Sequence, residues 1–233
     1  MDRRRRIAVK DRLKIFSKSL DLPGGSGDIA TTPDAAATSV TGDIDIRCHA
    51  APDDWTPAAN MAFMTKRSGA DGNFSWYMLI QTNGTLHLWW TPDGTNASAL
   101  GKSSTAATGA ANGSDLHVRA TLNVDAGSTD NDVTFYTSPD GTTWTQLGDV
   151  VNTAGTTSIH DGASNLNVGA NDTAFDLFAG VVFSAQVYDG IAGTLVGDFN
   201  PSRDGTVGAS TVTSSTTSEV WTIAGSASIV GYE

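Results

Sequence analysis

Four aromatic side chains in two consecutive segments are the residues best suited to chemistry: Trp76, Tyr77, Trp89 and Trp90. Side chains alternate across an extended strand, so Trp89 and Trp90 must point to opposite faces. One enters the core and the other lies on the far face of its sheet. A Trp left exposed beside Asp93 or Asn83 could stack on a sugar ring while the polar groups fix its hydroxyls. The competing reading packs both rings, one in the core and one under a loop. Asp43 and Asp45 stand at i, i+2 on one strand face, a spacing that could pair an acid with a base. On an acidic chain such outward carboxylates are expected to be solvated, so no catalytic residue is assigned.

Other nucleophiles and ligands have less support. The sequence has no Gly-x-Ser-x-Gly turn. Its one cysteine, Cys48, shares a strand face with Ile44 and Ile46 and reads as a small buried hydrophobe. A single cysteine excludes an internal disulfide or a cysteine-based zinc site. His49, His87, His117 and His160 show no close metal spacing, and the first three fall on the polar sides of strands. Five Asn-x-Ser/Thr sequons, at Asn73, Asn83, Asn96, Asn112 and Asn171, carry no weight in a chain this rich in Ser and Thr.

The elements that position these residues are short strands between turns. Glu occurs only at 219 and 233, Asp is abundant, and Thr, Ser and Gly are frequent, which disfavours helices. Residues 43–50 alternate with Ile44, Ile46, Cys48 and Ala50 on one face. Residues 116–124 alternate likewise, and Val181, Phe183, Ala185 and Val187 are expected to form another inward row. Two aromatic strands each run into Pro-Asp-Gly, at 92–94 and 139–141, where Pro presets the turn and Gly tolerates positive φ. Residues 96–114 and 205–218 are poor in apolar periodicity and read as exposed loops. No apolar run reaches the length of a membrane helix.

Charge divides the chain. Residues 1–20 hold eight basic side chains against Asp2 and Asp11, net +6, while residues 21–233 hold six basic and 23 acidic ones, net −17. Arg3, Arg4, Arg5 and Arg6 precede Ile7, but Lys10 and Asp11 interrupt any apolar core of a signal peptide. Val9, Leu13, Phe16 and Leu20 are spaced 4, 3, 4, a helical stripe; residues 16–22 also alternate as a strand. The preferred reading is a basic arm over residues 1–15, then strands. Such an arm could neutralise phosphates, lie on a membrane, or order against a protein partner with Val9, Leu13 and Phe16 buried and Arg3, Arg4, Arg5, Arg6 and Arg12 paired to carboxylates. The acidic body disfavours nucleic acid, the apolar stripe is short for a membrane, and protein docking is preferred.

The order of segments resembles the concanavalin A-like, laminin-G-like jelly-roll domains, especially those among virion genes of actinobacterial phages. The resemblance rests on Ser19-Leu20-Asp21-Leu22-Pro23-Gly24, residues 41–47, Asp53-Asp54-Trp55-Thr56-Pro57, residues 75–79, Gly84-Thr85-Leu86, residues 135–141, Phe178-Ala179-Gly180 and residues 185–190. It covers roughly residues 16–231 and implies an all-β sandwich of two antiparallel sheets spanning residues 16–233. It implies a non-enzymatic virion structural protein, a capsid decoration protein first and a tail or receptor-binding adhesin second. A glycoside hydrolase is third, because enzymes of this fold look like two-Glu machines and neither Glu here lies in an aromatic strand. The expected partners are a major capsid or other virion protein through the arm, cell-surface glycans at Trp76, Tyr77, Trp89, Trp90 and Asp93, and further copies of the chain on the particle. The expected location is the virion surface, after synthesis in a host cytoplasm without export. No cofactor is expected. Relatives that bind calcium leave a structural ion open, with Asp130-Asn131-Asp132 and Asp71-Gly72-Asn73 offering oxygens but no ligand set assigned.

Overall fold

In the computed structural model, residues 17–69, 72–127, 129–171 and 174–232 are described. The basic arm, with Arg3, Arg4, Arg5, Arg6, Val9, Arg12, Leu13 and Phe16, lies outside them, as do Asp71 and Glu233.

The protein is an all-β jelly-roll sandwich of two antiparallel sheets. The first sheet contains β1 (Ser17–Pro23), β3 (Ile44–Pro52), β8 (Leu116–Asn123), β9 (Asp130–Ser138), β10 (Thr145–Gln146), β11 (Val151–Ala154), β13 (Ala179–Asp189), β14 (Thr194–Phe199) and β17 (Ser228–Tyr232). Their order is β10-β9-β8-β3-β13-β1-β17, with β11 on β9 and β14 on β13. The second sheet runs β15 (Thr211–Thr213), β16 (Val220–Ala224), β2 (Ile29–Thr32), β12 (Leu166–Val168), β4 (Met61–Arg67), β5 (Phe74–Ile80), β6 (Thr85–Trp90) and β7 (Leu100–Ala107). The chain passes back and forth between the sheets, so non-local pairings tie its beginning to its end: Ser19 of β1 pairs with Val230 of β17.

Alternation builds the core. Ile44, Ile46, Cys48 and Ala50 of β3 face inward with Val118, Ala120 and Leu122 of β8. The opposing sheet contributes Trp76, Met78, Leu88 and Trp90, all fully buried. Burying side chains of this size supplies the main drive to fold, about 2 kcal/mol for each large one. The two Pro-Asp-Gly segments form tight turns, with φ of 86° at Gly94 and 70° at Gly141.

Three sequence expectations are corrected. The inward row of β13 is Val182, Ala185 and Val187, because the register shifts between Val182 and Ser184. This β-bulge exchanges the faces of the strand part-way along it, sending Val181 and Phe183 to the outer side. Residues 96–114 are not all loop, since β7 forms the edge of the second sheet; its small polar residues pair through backbone, a signal that apolar periodicity does not carry. Residues 205–218 likewise contain β15.

Candidate functional site

The outer face of the first sheet is built from the residues that alternate out of the core. On β3 these are Asp45, Arg47 and His49, and the register sets Arg47 opposite Arg119 and His49 opposite His117 on β8. Two like charges directly across a ladder repel. Asp45 resolves this. Its Oδ1 accepts from Arg47 Nε (3.1 Å) and Arg119 Nε (2.9 Å), and its Oδ2 accepts from Arg47 Nη2 (2.7 Å), Arg119 Nη2 (2.8 Å) and the backbone N–H of Ala192 (3.0 Å). Burial alone would raise the Asp45 pKa, but the hydrogen bonds and charges of the two arginines overcome it and hold the carboxyl below its usual range. Asp45 is therefore not the solvated carboxylate that its outward position suggests: it is fully buried under its own partners. With five donors on its two oxygens, it has no lone pair left to act as a base. Asp43 caps the neighbouring strand instead, accepting from Val124 N–H at 2.8 Å.

Aromatic rings flank both guanidiniums. Arg47 lies 4.2 Å from the centre of the Tyr188 ring, Arg119 lies 4.8 Å from that of Tyr136, and Trp144 stands 5.8 Å from each. The row Tyr188, Arg47, Trp144, Arg119, Tyr136 crosses five strand or turn segments and fixes all five side chains.

Beside this row, the His49 and His117 rings stack face to face, 3.7 Å apart and 11° from parallel. Phe183, turned outward by the bulge, lies 4.4 Å from the His49 ring. Trp144 meets His117 edge-on at 6.4 Å. His49 Nε2 is 3.0 Å from an oxygen of Asp115. Burial, with the neighbouring His49, lowers the His117 pKa to about 4, so its ring is neutral at pH 7. Gly141 of the second Pro-Asp-Gly turn passes over this ring. A Cβ there would stand 2.8 Å from His117, so the motif's glycine is needed for room as well as for φ.

These side chains line a groove in two parts. One, about 470 Å³, is walled by Phe183, Asp115 and Ser202. The other, about 270 Å³ and more polar, is walled by Arg47, Trp144, Gln186 and Tyr188. Both are lined by His49, His117, Ser184 and Asn200, so the histidine pair joins them. The polar groups are held in place: Tyr188 Oη donates to Gln186 Oε1 at 3.1 Å, and Gln186 Nε2 donates to Asp198 at 3.1 Å.

The predicted glycan residues separate. Trp76 and Trp90 are fully buried between the sheets, which removes them from any binding surface. Tyr77 and Trp89 share the outer face of the second sheet, with rings 6.2 Å apart, and both are half-buried. Asp93 is in its turn, accepting from Thr95 N–H at 2.9 Å. The structure brings none of these into the groove. Asp130, Asn131 and Asp132 belong to strand β9 and not to an ion-binding turn; Asn152 Nδ2 donates to Asp132 at 2.8 Å, and Asn131 Nδ2 donates to Gly155 O at 2.6 Å. No cluster of three or more His, Cys, Asp or Glu suited to a metal occurs among the described residues. Sequence reasoning placed His49, His117 and Asp45 on outer faces but missed Arg47, Arg119, Trp144 and Phe183. The signal was there for the arginines: Asp45-x-Arg47-x-His49 and His117-x-Arg119 put polar groups on alternate positions of adjacent strands.

No family model and no curated protein matches the sequence. Among solved structures, a heptameric SAP-like pentraxin from Limulus polyphemus is 13% identical, with 77% of this chain and 79% of that chain covered and a TM-score of 0.49. The CBM40 of a Ruminococcus gnavus IT-sialidase, bound to α2,3-sialyllactose, is 14% identical over 72% of this chain and 92% of that one, with a TM-score of 0.48. Domains LG4-5 of the mouse laminin α1 chain are 15% identical over 73% and 40%, with a TM-score of 0.44. At these identities the likeness is one of chain path alone.

Proposed function

We propose that the protein is a non-enzymatic carbohydrate-binding sandwich whose binding surface is the groove on the outer face of the first sheet. The observation that carries this reading is the joined pair of cavities, with an aromatic wall at each end and fixed polar groups between. Trp144 and Phe183 supply apolar faces for sugar rings. Arg47, Gln186, Tyr188 and Asn200 supply donors and acceptors for hydroxyls. The non-enzymatic part is supported by the state of Asp45, which is saturated by five donors. A glycan array followed by calorimetry tests the reading. Trp144→Ala should abolish binding that the unaltered chain shows, with the melting temperature little changed. Glycan binding that survives this substitution refutes the assignment, and hydrolysis of a β-glucan by the pure protein refutes the non-enzymatic part.

A second element of the proposal concerns location. We propose a phage virion surface protein, a capsid decoration protein first and a tail adhesin second, held to a capsid or other virion protein by the arm; the split between a +6 segment at residues 1–20 and a −17 remainder supports only the part of this in which one end docks. Copy number per particle separates the two: hundreds favour the shell, a handful favour the tail.

A further inference from the structure

The second sheet carries an unrelated cavity of about 290 Å³ at its rim, lined by Arg67, Gly69, Asn171, Phe175 and Asp176. Asn171 N–H donates to Phe175 O at 2.9 Å, and Asp176 O in turn accepts from Ala62 N–H at 2.7 Å, so the backbone here is fixed to β4. Asp176 adopts a positive φ of 49°, a conformation that a non-glycine residue rarely takes. The side chains leave two groups unsatisfied. Asn171 is 2% exposed; its Nδ2 donates to Asp176 Oδ2 at 3.3 Å, but its Oδ1 is buried and meets no donor among the described residues. Arg67 donates through Nη2 to Asn96 at 2.8 Å and stacks 4.8 Å from Phe74, yet its Nε is buried and meets no acceptor among the described residues. A buried polar group left unpaired is costly, so both favour a ligand that pairs them. Beside them Phe175 is 63% exposed, an aromatic ring held in water at the mouth of the cavity.

We propose that this cavity is a second binding site, for a neutral ring polyol such as a hexopyranose. One orphan is an acceptor and the other a donor. A hydroxyl satisfies both kinds, and a sugar presents several on adjacent ring atoms. The guanidinium of Arg67 and the carboxylate of Asp176 oppose each other in charge, which disfavours an anion and a cation alike. Phe175 gives the ring's C–H face a surface to stack on. The site uses neither Trp144 nor the histidine pair, so it stands or falls independently of the groove on the first sheet.

The test is a titration of the full chain with glucose, galactose, mannose and N-acetylglucosamine at millimolar concentration, followed by side-chain amide NMR. At least one sugar should shift the Asn171 amide and saturate. Phe175→Ala, an exposed position with little bearing on folding, should weaken that binding about tenfold or more, and Asn171→Leu, followed through the backbone amides of Phe175 and Asp176, should abolish it. Trp144→Ala should leave it unchanged. The proposal is overturned if no sugar perturbs Asn171, if Phe175→Ala binds as tightly as the parent, or if Trp144→Ala removes the same signal.

Discussion

Asp45 is the counter-charge that lets Arg47 and Arg119 stand opposite each other on the outer face of the first sheet. Alternation put it on the outer face of β3, where it is found, but its environment comes from β8 and from the turn at Ala192, which sequence separation hides. Replacing it with Ala would leave Arg47 and Arg119 facing each other without a counter-charge. The expected loss is about 3 kcal/mol in urea unfolding; Arg119→Met in the same background should recover part of it by removing the repulsion. Because the folded pKa of Asp45 lies below the usual carboxylate value, its contribution is present above about pH 3.9 and is lost as pH falls through the lower, folded value. The histidines act in a different window. Burial lowers both His87 and His117 from 6.5 to about 4. The unfolded chain takes up these protons as pH falls below 6.5, and the folded one holds off until about 4. Stability should therefore decline between those two values and level off below them. The decline should amount to about 1–2 kcal/mol per group, the His117 share being reduced by its solvent exposure. Urea midpoints at pH 7 and pH 4.5 measure it, and the double variant His87→Gln, His117→Gln should flatten the difference. A slope unchanged in that variant assigns the effect elsewhere.

At the level of elements, period-two patterning made the central strands legible and the bulge invisible. Residues 44–50 and 116–122 alternate without interruption, and both strands face as expected. In β13, Val181 and Phe183 continue an apparent row of apolar residues, and nothing in their types marks the extra residue that turns Phe183 onto His49. Position-specific packing decides it. The same limit explains why Trp76 and Trp90 were candidates for a surface: alternation tells that Trp89 and Trp90 differ in face, but which face is inner depends on the opposing sheet. The Pro-Asp-Gly turn was legible as a turn, while its role in covering His117 was not. A further pairing constraint lies at the start of β13, where Gly180 has a φ of 131° and a Cβ would stand 2.4 Å from Ala51 O. Gly180→Ala must therefore strain the backbone and push β13 from β3. A loss of about 2 kcal/mol or more is expected, with hydrogen exchange quickening at Ala50 and Ala51 before the rest of the sheet. Uniform quickening would mean that the strand pair does not open locally.

For the whole molecule, the boundary between arm and body has a mechanical consequence. β1 begins at Ser17 and is held on both sides, by Val182 and Val181 of β13 and by residues 228–232 of β17. Among the described residues, every strand pairing lies at Ser17 or later. Removing residues 1–15 should leave the melting temperature within a degree or two of the full chain, because the pairings that hold β1 to β13 and β17 begin at Ser17. Truncation removes seven basic side chains with Asp2 and Asp11, net +5, so the remaining body is more acidic, its pI falls, and it loses its cationic end. If the arm is the docking element, truncation abolishes incorporation into particles. Arm-mediated docking by exposed charge should also weaken as salt rises, since the Debye length shrinks from about 10 Å at 0.1 M to about 3 Å at 1 M. Salt-resistant attachment would place the weight on Val9, Leu13 and Phe16, and Leu13→Ser with Phe16→Ser would then release the protein where salt does not. Incorporation of the truncated body at the level of the full chain would remove the arm from the docking account altogether.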